Sequence, residues 1–133
     1  MGDRDNLILE LRGGTIGETN YQSSSEELFQ NQTLRPILKL QNDLFIESFK
    51  NYITKYKNDF YSLTVEKKLH YIDNAIQRDI KFRNALKGMV ISLFTIAEFQ
   101  TYTKNSSALN KRMMNLLIER LKSQVQLFEQ TEA

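Results

Sequence analysis

The sequence predicts an all-α fold, a five- or six-helix bundle with a polar N-terminal arm. Three observations carry that expectation. A segment from Leu34 to Tyr56 repeats apolar residues at helical spacing in two stripes, later segments repeat the pattern, and capping residues stand at the junctions between them. At 133 residues the chain fits one domain. Residues 1–25 read as an arm, flexible or packed on the body, and residues 26–130 as the helical domain.

Within the arm, Gly13, Gly14 and Gly17 punctuate the chain and Ser23-Ser24-Ser25 closes it. Leu7, Leu9 and Leu11 alternate with Ile8, Glu10 and Arg12, the pattern of one short strand. Ser25 followed by Glu26 and Glu27 suits a helix start, because acids favour the end where amides are unpaired. Thr33 is a second cap candidate, with Pro36 in the first turn of the helix that follows.

In that long helix Leu34, Leu38, Phe45, Phe49, Tyr52, Ile53, Tyr56 and Phe60 share one face, and Ile37, Leu40 and Leu44 form a second stripe on the first half. Ser62 or Thr64 caps the next segment, whose Val65, Leu69, Ile72 and Ile76 share a face. The following apolar set, Phe82, Ala85, Leu86, Met89 and Leu93, is rotated away, which places a break near Asp79. Thr95 to Glu98 reads as a capping box opening a short helix. Asn105, Ser106 or Ser107 caps the last helix, from about Ala108 to Phe128. Its Met114, Leu117, Ile118, Leu121, Val125 and Phe128 run beside a thinner stripe of Leu109, Met113, Leu116 and Leu127, with Arg120 between. An arc that wide suits a central helix or one at a subunit interface.

Composition excludes several classes. There is no cysteine, so disulfides, thiolate metal sites and thiol nucleophiles are out, which suits a reducing cytoplasm. The most apolar run, Met89 to Ala97, is too short to span a membrane, and no signal peptide is expected. Net charge is +2, divided as −4 over residues 1–33 and +6 over residues 34–133. A basic body with an acidic arm permits an anionic partner or docking of the arm.

No set of residues points firmly to catalysis, so no catalytic residue and no cofactor is assigned. His70 is the sole histidine, with Glu66 and Asp73 on the same side of a helix, and these form a weak candidate for a divalent metal. That trio would serve a metal-dependent hydrolase or lyase. Gly13-Gly14-Thr15-Ile16-Gly17 lacks the Lys-Ser/Thr ending of a phosphate loop. Lys50, Tyr52, Lys55, Tyr56, Lys57 and Tyr61 interleave bases with aromatics as single-stranded nucleic acids require, but Tyr52 and Tyr56 fall on the apolar stripe. A second basic set joins Arg78, Lys81, Arg83 and Lys87 to Lys104, Lys111 and Arg112. The last two oppose the macrodipole at the start of their helix. Arg83, Lys87, Lys111 and Arg112 of this set, together with Asn105 and Asn110, are the candidate binding residues.

The segments Phe29–Phe45, Lys81–Met89 (KFRNALKGM) and Asn105–Asn115 (NSSALNKRMMN) resemble a family of small uncharacterised bacterial proteins, over about residues 29–128. Some members carry the label glyoxalase. Metal-dependent glyoxalases of the vicinal oxygen chelate type use βαβββ modules with His and Glu ligands on strands, whereas this chain predicts helices and has one histidine. The resemblance therefore implies no catalytic residue. The function expected is that of a cytoplasmic helical protein acting by binding, to a protein partner or to itself as a homo-oligomer through the last helix. Nucleic-acid binding by the same bases is the alternative, and no membrane association is expected.

Overall fold

The computed structural model describes residues 2–14, 24–55 and 59–129, and among these every regular element is helical. The elements are α1 (Gly2–Arg12), α2 (Ser25–Phe29), α3 (Arg35–Leu40), α4 (Asn42–Lys55), α5 (Val65–Arg78), α6 (Ile80–Ile91), α7 (Ile96–Lys104) and α8 (Ser106–Lys122). A π-helical turn, Gln30–Leu34, joins α2 to α3 without a break, so the described residues form seven separate helices rather than five or six. No helix among them is long and apolar enough to cross a membrane.

The all-α expectation holds, but the long helix does not run as one rod. It begins earlier, at Ser25, and turns at Gln41, where φ −90° and ψ 4° separate α3 from α4. Thr33 is therefore no cap; it lies inside the π turn. Of the main stripe, Leu34, Leu38, Phe45, Phe49, Ile53 and Phe60 are buried, and Tyr56 lies outside the described residues. The second stripe keeps only Ile37 in the core, because the turn at Gln41 leaves Leu40 and Leu44 exposed.

The later boundaries follow local chemistry. Thr64 Oγ1 accepts the Lys67 amide and starts α5. Asp79 Oδ1 accepts the Phe82 amide and starts α6, so the break falls at the residue where the apolar face rotates. Thr95 and Glu98 make both bonds of a capping box at the start of α7. α8 then crosses the core, burying Leu109, Met113, Met114, Leu117, Ile118 and Leu121. It stops at Lys122, short of the expected end, and a 3-10 turn, Val125–Leu127, folds Phe128 back against Phe49, ring centroids 4.8 Å apart. Each such large apolar side chain contributes roughly 1.5–3 kcal/mol on burial.

The arm holds the largest departure. Leu7, Leu9 and Leu11 belong to helix α1 and remain exposed, so their alternation marks no strand. Asp3 and Asp5 at its start and Arg12 at its end complement the helix dipole, and the helical body offers no strand for an extended segment to pair with. Gly13, at φ +73°, ends the helix. Polar bonds fix its position. Arg4 donates to the carbonyls of Phe94 (2.9 Å) and Ser92 (3.0 Å), while both Asp5 carboxylate oxygens accept the Ile96 amide at 3.3 Å.

Arg12 completes the dock from a nearly inaccessible site. Its guanidinium pairs with Glu98 at 2.6 and 2.8 Å and donates to the carbonyls of Leu93 (3.2 Å) and Gln32 (3.0 Å). Gln32 precedes Pro36 by four residues, and proline has no N–H to offer that carbonyl. Arg12 supplies a donor in its place. Thr33 Oγ1 adds a 2.6 Å bond to Glu98, so α1, the π turn and α7 meet at one carboxylate.

Candidate functional site: an arginine row along the last helix

Positions four apart lie on one face of a helix, and in α8 this places Arg112, Leu116 and Arg120 in line. Opposite them runs the rod made of α2, the π turn and α3. The groove between has two continuous parts that share Leu116 and Glu119. One is bordered by Glu26, Gln30, Lys111 and Arg112, the other by Arg35, Arg120, Ser123 and Gln124.

Each arginine of the groove is oriented by a neutral amide oxygen. Arg112 donates to Gln30 Oε1 at 2.9 Å, Arg35 Nε to Asn31 Oδ1 at 3.0 Å, and Arg120 to Asn42 Oδ1 at 3.4 Å. The π turn supplies the first two acceptors, Gln30 and Asn31. Asn42 is locked by Gln124 through a reciprocal amide pair, 2.8 Å in each direction. None of the three arginines forms an ion pair with a carboxylate among the described residues. Among the described residues their geometry is fixed by neutral amides, with Glu26 and Glu119 in the groove walls but in no ion pair with them. Burial lowers the Arg120 pKa, and the charge of Arg35 lowers it further.

Of the residues singled out in the sequence, the structure brings some together. Lys111, exposed, and Arg112, half-buried, border the groove. Asn105 donates to the groove residue Glu26 at 3.3 Å, and Asn110 accepts the Tyr102 hydroxyl at 2.7 Å. Arg83 and Lys87 sit half-buried on α6, outside the groove lining. Sequence reasoning missed Arg35 as a site residue and noted Arg120 only as an interruption between two apolar stripes. An arginine flanked by apolar positions on a central helix was the available signal.

The weak metal candidate does not assemble. Asp73 pairs with Lys122 at 2.9 Å, Glu66 and His70 are exposed, and the described residues contain no cluster of three ligands. In the aromatic–basic segment, Tyr52 stacks on Phe82 with centroids 4.2 Å apart and donates to Asp79 Oδ2 at 2.9 Å. The Phe82 amide foremost, then the Tyr52 hydroxyl, holds the Asp79 carboxyl below the usual range. Tyr52 is thus committed to the fold, and Tyr56 and Lys57 lie outside the described residues. Thr15, Ile16 and Gly17 of the glycine-rich segment do also.

No family model, curated protein or solved structure matches the chain. The functional reading therefore rests on the groove alone.

Proposed function

We propose that this chain is a helical interaction protein that binds an acidic segment of a protein partner in the groove between α8 and the α2–α3 rod. The observation that carries this reading is the row of arginines oriented by Gln30, Asn31 and Asn42 with no carboxylate ion pair among the described residues. Ordered guanidiniums favour carboxylates because little side-chain freedom remains to be lost on binding. Arg112 and Arg120 are eight residues apart, about 12 Å along the helix. An extended peptide with acids at i and i+4 spans roughly 13 Å.

Among the described residues the groove lining contains no aromatic ring, which favours a peptide over a single-stranded nucleic acid. Glu26 and Glu119 on its walls also suit a partner of mixed charge better than a polyanion. The resemblance to a small bacterial family brings no activity to this reading.

The test is fluorescence anisotropy of the intact chain with a labelled Glu-rich peptide and with a single-stranded oligonucleotide of equal charge. Peptide binding that weakens with salt and is lost in Arg112→Gln is expected. Preference for the oligonucleotide would instead establish the nucleic-acid alternative.

Self-association is a second reading, and it moves to a new surface. Most of the apolar arc of α8 is consumed in the core, with Leu116 half-buried at the groove, whereas Leu7 and Leu11 on α1 stand 61% and 64% exposed, and Leu11 shares a depression with Leu40. A second copy meeting this leucine face gives a dimer that Leu11→Asp dissolves, as read by sedimentation velocity. A monomer at every concentration overturns it.

A further inference from the structure

We infer that the Arg35–Arg120 end of the groove takes a phosphate monoester dianion, carried by a phosphorylated side chain of the bound partner. This rests on the groove reading above and narrows the chemistry at one end of it. Two guanidiniums from facing elements border the same depression, Arg35 at the start of α3 and Arg120 in the last turn of α8. Arg35 uses its Nε on Asn31, and its two terminal nitrogens have no protein acceptor among the described residues. Arg120 spends one terminal nitrogen on a long 3.4 Å bond to Asn42. The donor capacity that remains is the forked kind that phosphate oxygens accept two at a time.

Charge decides between carboxylate and phosphate. A carboxylate compensates one of two like charges placed together, whereas a phosphate dianion compensates both. Burial and the nearness of Arg35 disfavour the charge on Arg120, so a dianion between them relieves the repulsion of the two arginines. Ser123 borders the same depression and keeps its hydroxyl on the Arg120 carbonyl at 2.7 Å, fixing the turn that carries Arg120. Glu119, exposed at the groove's midpoint, is the one carboxylate bordering this end among the described residues. It opposes a dianion, and its removal strengthens binding.

The experiment titrates the intact protein with inorganic phosphate, against chloride at matched ionic strength, following backbone amide shifts of α3 and the end of α8. Saturable shifts with phosphate but not chloride are expected, about tenfold weaker in Arg35→Gln and Arg120→Gln. Glu119→Gln tightens binding, and Lys67→Gln, exposed on α5 and outside the groove lining, leaves it unchanged. Circular dichroism checks that each variant is folded, and the exposed Glu119 variant carries the test if Arg120→Gln is not. Identical shifts with chloride, or a Glu119→Gln protein that binds phosphate no more tightly, overturn the inference. A Glu-rich peptide that binds while phosphate does not refutes this inference and leaves the groove reading standing. Phosphate that binds while a Glu-rich peptide does not supports this inference and refutes carboxylates as the groove's ligand.

Discussion

Arg12 and Glu98, separated by 86 positions in the chain, form a two-pronged ion pair at 2.6 and 2.8 Å with the arginine side chain only 2% exposed. Breaking it from one side strands a charge where water does not reach. Glu98→Ala is expected to cost about 3–5 kcal/mol by urea denaturation, and removing both partners less than the sum of the single changes. Additive losses would show that the two side chains act independently.

The same carboxylate sets an acid limit. Burial pushes the Glu98 carboxyl up, but bonds from Arg12, Thr33 and the Thr95 amide, with the charge of Arg12, hold it below its ordinary 4.5. Its folded value lies under its unfolded value, so its contribution is complete above about pH 4.5 and lost as pH falls through the folded value. Melting temperature should decline below that point, and the decline should be shallower in Glu98→Gln.

Tyr52→Phe deletes only the hydroxyl that reaches Asp79. Stability should fall by about 0.5–1.5 kcal/mol, since the ring stays stacked on Phe82. The Asp79 carboxyl should rise toward its ordinary 3.8, as followed by NMR titration. An unmoved titration would mean that the Phe82 and Lys81 amides and the Lys81 charge set it without the hydroxyl.

At Gly13 the backbone adopts φ +73°, and a Cβ there meets nothing within 4 Å. Gly13→Ala therefore isolates backbone strain from crowding. A loss of about 1 kcal/mol is expected, measured by thermal melting.

The helical class and several boundaries were legible because they are local. Thr64, Asp79 and Thr95 each cap the helix that follows them through a backbone amide three residues on, so short sequence windows contain both partners. The turn at Gln41 has no glycine or proline to announce it, and the π turn places bonding partners that lie far off in the chain. For α1, alternating leucines imitated a strand, while the true determinants, Arg4 and Arg12, reach backbone carbonyls of residues 92–94, about which side-chain types say nothing. The site was half legible for a related reason. Lys111 and Arg112 broke a rule of helix electrostatics, but Arg120 gains its meaning from Asn42, 78 positions away, and Arg35, held by Asn31 one turn before it, only from facing Arg120 across the groove.

Gln30 and Asn31 steer two arginines of the groove, while the next two residues, Gln32 and Thr33, receive Arg12 and Glu98. One widened helical turn thus serves as a hinge plate between the N-terminal segment and the basic wall. On the proposed binding reading, displacing α1 is expected to loosen the turn from one edge and re-aim Arg35 and Arg112 on the other, which would link filling of the groove thermodynamically to seating of the first helix.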